Sequence, residues 1–307
     1  IDGLIAAISE AVAETDEELF EKFFSGEQFT HDELVRGVHE GIRTGSLTPV
    51  FCGSAQALEA IDLLLDGIAD FLPAEEEKAE TVGTDADGNP VEIACSADAP
   101  LVAQVFKTVA DPFIGKLSYI KVAAGTMTAG MEVVNMASGQ TEKVGKLVYM
   151  RGKKQEEAQK VVAGDIAAAA KMNAATGDTL CAGTAVTLER TEYDAPCYSM
   201  AVMPKAKGDE SKIAQGILRL LEEDASLSFT NNAETHQQVI TGLGEQHLDV
   251  VAAKLKSKFG ADVTMEPPIV AYRETIQKKV KVQGKHKKQS GGHGQYGDVW
   301  IEFEPYD

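Results

Sequence analysis

The stretch "HQQVITGLGEQHLDVVAAKLKSKFGADVTME", residues 236–266, reads in order as strand, tight turn, helix and strand. Its first part carries β-branched residues up to a glycine turn, "EQHLDVVAAKLKSKFG" is an amphipathic helix closed by glycine, and "ADVTME" is extended again. Upstream, "CYSMAVMP" from Cys197 is a strand, and "ESKIAQGILRLLEED" places Ile213, Ile217, Leu220 and Leu221 on one helical face. The order β-α-β…α-β across residues 193–269 predicts an open sheet with two helices on one face, the split βαβ or ferredoxin-like α+β plan.

Toward the N-terminus the pattern changes. From Leu101 to about Val186 the chain is made of short β-rich runs, "LVAQVFKTVA", "KLSYIKVAAG", "MEVVNMASG" and "KVGKLVYM", separated by turn sequences. Runs this short at regular spacing predict a small closed barrel or sandwich over residues 76–192, with Met127, Met131, Met136 and Met150 in its core. Residues 73–92, "PAEEEKAETVGTDADGNPVE", read as a linker running into a loop.

Residues 1–72 read as helical. "TDEE" at 15–18 and "THDE" at 30–33 are capping-box patterns, and Leu58, Ile61, Leu64, Leu65, Ile68 and Leu72 recur at helical spacing up to Pro73. Before that last helix, "SLTPVFCGSA" predicts a strand and a tight loop, so residues 1–75 read as the end of an α/β domain. After 269 the chain enters a further α/β domain, residues 270–307, and the whole reads as an internal piece of a longer protein.

Composition bounds the function. The formal net charge is -19, but residues 1–92 hold 22 acidic and 4 basic side chains, whereas residues 93–307 hold 26 and 25. The acidity therefore belongs to one segment, and a local basic patch elsewhere can meet a polyanion. Such a patch exists: "KHKKQSGGHGQYGDVW", residues 285–300, puts Lys285, Lys287, Lys288, His286 and His293 around Ser290, Gly291, Gly292, Gly294 and Tyr296. Lysine ammoniums beside flexible backbone N–H groups suit RNA phosphates, with Tyr296 available for stacking; a solvated hairpin is the plainer alternative from composition alone.

Four scattered cysteines without a CxxC pair speak for a reducing compartment, and no apolar run is long enough for a membrane helix, so the cytoplasm is expected. No HExxH stands in the chain, and His236 and His247 are separated by a strand and a turn, which leaves His247 as a packing or locally bonded residue. No metal site is expected. No GxxxxGK[ST] occurs, so this chain has no phosphate cradle for a nucleotide, and it is expected to be inactive alone.

The runs "ITGLGEQHLDVVAAKLKSKFG", "VAYRETI" and "KKQSGGHGQYGDVWIEFEP" resemble the third domain and the start of the fourth domain of translation elongation factor G, the ribosomal translocase GTPase. "DPFIGKLSYIKVAAGTM" is similar to its second-domain barrel, and "TPVFCGSA" with "LLLDGIADFLP" to the end of its GTP-binding domain. The resemblance implies a parent protein that uses GTP and Mg2+, binds ribosomal RNA and ribosomal proteins, and works as a monomer. It implies that Gly53, Ser54 and Ala55 stand at the last guanine-recognition motif, that residues 285–296 are a strand and loop of the domain that enters the ribosomal decoding region, the tip of that domain being expected beyond Asp307, and that Arg273 and Glu274 form an ion-paired joint between domains. The chain departs from the family pattern at His293 (usually Arg), at Gln246 (usually Leu), and at Gln56–Ala60, where the family has a Lys-Asn-Lys-Gly run. In "SGGHGQYGDVW" it resembles the bacterial elongation factor G-like paralogues.

Overall fold

The computed structural model describes residues 2–77, 81–111, 115–152, 154–289 and 291–306. Packing divides the chain into two compact units, one of residues up to 194 with 218–225, the other of residues 195–217 with 226–307.

The first unit opens with four helices, α1 (Asp2–Ala13), α2 (Glu17–Phe24), α3 (His31–Thr44) and α4 (Ile61–Phe71). The capping box read at 30–33 is present: Thr30 accepts from the Glu33 N–H, and the Glu33 carboxylate accepts from the Thr30 N–H at 2.7 Å. The pattern read at 15–18 is shifted by one residue. Asp16 caps α2 by accepting from Glu18 and Leu19, while the Thr15 hydroxyl donates to the Val12 carbonyl at the end of α1. Asp and Thr both cap well, and the residue with the free carboxylate wins because Thr15 is already engaged.

Leu58 lies outside the helix that the apolar spacing suggested, in a turn before α4, with a positive φ of 58°. The strand expected within 47–53 does not form. A strand needs a neighbour for its N–H and C=O groups, and among the described residues 47–53 pair with no strand; the Ser54–Glu59 bridge just after them closes a local loop. Phe51 instead lays its ring against α4 at Gly67.

The next region is built of strands, several of them only two to four residues long and so too short for alternation to show in the sequence. They are β1 (Thr81–Thr84), β2 (Pro90–Ile93), β3 (Leu101–Asp111), β4 (Gly115–Ala124), β5 (Thr126–Thr128), β6 (Glu132–Asn135), β7 (Thr141–Lys143), β8 (Leu147–Arg151), β9 (Lys154–Ala158), β10 (Lys160–Val162), β11 (Ile166–Ala170), β12 (Thr179–Ala182) and β13 (Thr187–Leu188). The segment read as a linker and loop is thus partly a hairpin, β1–β2, turning on Asp85, whose carboxylate accepts from the Asp87 and Asn89 N–H groups. β13 adds to its free edge.

The main sheet has eight antiparallel strands in the order β7-β6-β12-β3-β4-β11-β8-β9. Residues from near both ends of that order, Val133 and Ala158, share one buried cluster with Val105, Ile120, Met127 and Leu180, so the sheet curls around a single core. Its end strands β7 and β9 are not paired with each other among the described residues, which corrects the expected closed barrel to an open, curled sheet. Met127 is fully buried, and Met131, Met136 and Met150 pack partly buried against the core clusters.

The second unit contains β14 (Tyr198–Pro204), most of α5 (Glu210–Glu223), β15 (Ser228–Asn232), β16 (Gln237–Gly242), α6 (Glu245–Phe259) and β17 (Val263–Glu266). The sheet order β15-β16-β14-β17, all antiparallel, is the ferredoxin-like arrangement. β15 escaped the sequence reading because "SFTNN" is polar, lies at the sheet edge and leaves Ser228, Thr230 and Asn231 exposed, with no strict alternation. Ile213, Ile217, Leu248, Val251 and Leu255 are buried, as the helical periodicity requires. His247 is locally bonded, its Nδ1 accepting from the Leu243 N–H at 3.2 Å. The chain ends in a hairpin of β18 (Val280–Gln289) and β19 (Gly294–Phe303).

Candidate nucleic-acid interface

The β18–β19 hairpin follows from alternation. "VKVQGKHKKQ" and "GQYGDVWIEF" pair residue for residue, from Val280 opposite Phe303 to Gln289 opposite Gly294. The turn needs glycine at Gly291, where φ is +65° and a side chain would be strained. Ser290 lies outside the described residues.

Because side chains alternate across a strand, the register sorts the hairpin into two faces. One carries Val280, Val282, Val299, Ile301 and Phe303, with His286 and Lys288 nearer the turn. The other carries Lys281, Gln283, Lys285 and Lys287 with Tyr296, Asp298, Trp300 and Glu302. Every residue of both strands is exposed.

On the polar face the cations sit beside aromatic rings. The Lys281 ammonium lies 5.9 Å from the Trp300 ring centroid, and that of Lys285 lies 5.7 Å from the Tyr296 centroid. Asp298 stands between the rings, accepting from Gln283 Nε2 at 2.8 Å and from the Tyr296 hydroxyl at 3.2 Å, with Lys285 3.8 Å away.

The basic residues are therefore not one patch. Lys279 is held by Glu302 at 2.5 Å and Glu304 at 3.2 Å, and these bonds raise its pKa. Lys287 and Lys288 point to opposite faces, and neither makes an ion pair among the described residues. His293 sits in the turn, its N–H donating to the Gly291 carbonyl. Trp300 was not singled out in the sequence. The available signal was the spacing of Trp300 four residues from Tyr296, which puts both rings on one strand face.

The other sequence-predicted residues lie elsewhere. Gly53, Ser54 and Ala55 begin a loop closed by reciprocal backbone bonds between Ser54 and Glu59, both 3.1 Å. A Cβ on Gly53 would come within 2.9 Å of the Glu59 carbonyl, so the loop closes this tightly only with glycine there. Ser54 Oγ accepts from the Ala57 N–H, and Ala55 is exposed. Among the described residues no group of three or more His, Cys, Asp or Glu is placed to hold a metal ion.

Arg273, in the segment before β18, bonds Glu234 in the turn between β15 and β16. Its sequence neighbour Glu274 is exposed. No helix among the described residues is long and apolar enough to cross a membrane.

Three family models match the chain in order: elongation factor G domain 2 over residues 100–183, elongation factor G domain III over 194–267, and elongation factor G domain IV over 268–307. Among solved structures, the crystal structure of a Thermus thermophilus protein is 33% identical, with a TM-score of 0.69 and a match covering 95% of this chain. The chain spans 42% of that protein's length. Since successive domains of one factor match in their order and together take in nearly two thirds of the residues, the chain belongs to the elongation factor G family.

Proposed function

We propose that this elongation factor-like chain acts on the ribosome, within a cytoplasmic, GTP- and Mg2+-dependent factor that moves tRNA and mRNA. In this reading residues 1–75 end the GTP-binding domain, 76–192 and 193–269 are the second and third domains, and 270–307 belong to the fourth. Gly53, Ser54 and Ala55 would touch the guanine edge. The observation that carries the reading is the exposed hairpin, with lysines beside solvent-facing rings on a chain whose acidity is confined to residues 1–92.

Lysines bind RNA by neutralising phosphates and releasing counterions, so ribosome affinity falls as salt rises. In ribosome pelleting across a salt series, Lys285→Ala, Lys287→Ala and Lys288→Ala together flatten the log-log dependence; an unchanged slope removes the RNA role. A second reading, a paralogue that occupies or protects the ribosome without translocating, is favoured by His293 where the family usually has Arg. A translocation assay with the complete factor separates the two.

A further inference from the structure

The polar face of the hairpin holds more than charge. Tyr296 is 64% exposed and Trp300 61% exposed, on a face whose other residues are polar or charged. Apolar area of this size on a polar face has no packing role within the described residues, while the true apolar residues of the hairpin occupy the opposite face. The two rings stand four residues apart on β19, roughly 13 Å along the strand at about 3.3 Å per residue. Each has its own ammonium nearby, and Asp298 fixes the Tyr296 hydroxyl from one side.

Taking the RNA reading above as its basis, we infer that Tyr296 and Trp300 are stacking platforms for unpaired bases, so that this face selects RNA with unstacked nucleotides over duplex. The lysines do not make this distinction, because phosphates are present in both forms. The rings do, because a base inside a helix has both π-faces already covered by its neighbours, whereas an unpaired base has a face to offer. An ammonium beside each ring meets the phosphate of the nucleotide whose base is stacked. Asp298 and Glu302 keep the face from being a uniform cationic surface, which lowers its attraction for duplex phosphates and leaves the rings to decide.

Trp300 is the chain's single tryptophan, so its emission reports this face alone. The 307-residue chain is titrated at fixed salt with a short single-stranded RNA of mixed sequence, with the blunt duplex of the same sequence, and with polyglutamate as a polyanion lacking bases. The single strand is expected to quench Trp300 saturably and to bind more tightly than the duplex. Trp300→Ala, followed by anisotropy of a labelled strand, weakens single-strand binding about 5- to 150-fold, the range for losing one stacked base. It leaves the salt slope unchanged and Trp300→Phe largely restores affinity. Tyr296→Leu provides the second test, read on Trp300 itself, and circular dichroism checks that each variant is folded.

Salt-dependent binding without quenching, and with Trp300→Ala binding as tightly as the parent, overturns the stacking inference while the lysine reading stands. Equal quenching by duplex or by polyglutamate overturns the selection for unpaired bases. Absence of salt-dependent binding to any RNA overturns both readings together.

Discussion

The Arg190 guanidinium, in the segment after β13, donates to the nearly buried carboxylate of Asp178 at 3.1 Å. The other oxygen of Asp178 accepts from Asn135 Nδ2 and from the Ala175 N–H, both at 2.8 Å. Asp178 thus joins β6, the loop before β12 and the segment leaving the curled sheet. The two partners should not matter equally. Arg190 is half exposed, and an ion pair of that kind contributes about 0–1 kcal/mol. Asp178→Ala leaves the buried Asn135 amide without its acceptor, at about 1–3 kcal/mol, and also releases the Ala175 N–H. Urea unfolding followed by circular dichroism should therefore show a large fall in midpoint for Asp178→Ala and a small one for Arg190→Ala. Equal effects would contradict this assignment.

Neighbouring contacts tie down the segment that follows β12 in the first unit. Thr187 and Leu188 pair with β1, the Leu188 N–H donates to Thr179 Oγ1, and Gln104 donates to the Glu189 carbonyl. Residues 191–196 lie outside every helix and strand. Hydrogen exchange should find the Leu188 amide protected and those of 191–194 exchanging quickly, because only the former is tied into the sheet. Uniform protection through 194 would show that residues 191–194 are tied down as well.

In the loop that follows Gly53, Leu58 and Ala60 have φ of 58° and 59°. The family's Lys-Asn-Lys-Gly run, aligned at its last residue, puts Asn and Gly there, types that take this left-handed region with less strain. A left-handed L-residue costs roughly 1–2 kcal/mol, of which glycine gives back about 0.5–1 in backbone entropy. Ala60→Gly should accordingly raise the unfolding midpoint slightly, by up to about 1 kcal/mol, and Ala60→Pro should lower it strongly. Destabilisation by glycine would mean that the loop is not strained.

Glu33 is held to a pKa of about 2, against an ordinary 4.5, chiefly by the Lys22 ammonium at 2.7 Å and then by the Thr30 N–H. Its folded-state pKa is depressed, so its stabilisation is complete above about 4.5 and is lost as pH falls through about 2. Carboxyl carbon titration by NMR should place Glu33 well below the other glutamates, and Lys22→Ala should raise its midpoint. An unmoved midpoint would reassign the shift to the cap alone.

How much of this was legible in the sequence depended on what each signal measures. Ile213, Ile217 and Leu248 repeat with the helix period and are buried, because one helix face must leave water whatever its partner. The Thr30–Glu33 box is equally local, and it formed. β15 and the strand expected at 47–53 failed for one reason from opposite sides: pairing is supplied by a neighbour, and "SFTNN" had one while "TPVFC" had none among the described residues. At the hairpin, composition revealed the lysines, but Lys287 and Lys288 look equivalent until the register assigns them to opposite faces. Trp300 became a candidate only when β19 set it beside Lys281.

That division by face yields the last prediction. Lys287 lies on the face of Tyr296 and Trp300, Lys288 lies on the face of Val299 and Ile301, and Lys279 is already engaged by Glu302 and Glu304. A lysine that neutralises a phosphate contributes about 0.7–0.9 to the log-log salt slope, and a lysine that does not meet RNA contributes nothing. With single-stranded RNA as the probe, Lys287→Ala should flatten the slope by that amount, Lys288→Ala should leave it unchanged, and Lys279→Ala should act weakly because its charge is balanced by carboxylates. Folding should be indifferent to all three changes, since exposed lysines contribute little to it. Equal flattening by Lys287→Ala and Lys288→Ala would show that RNA wraps the tip from both sides and that the face carrying the rings has no special part in recognition.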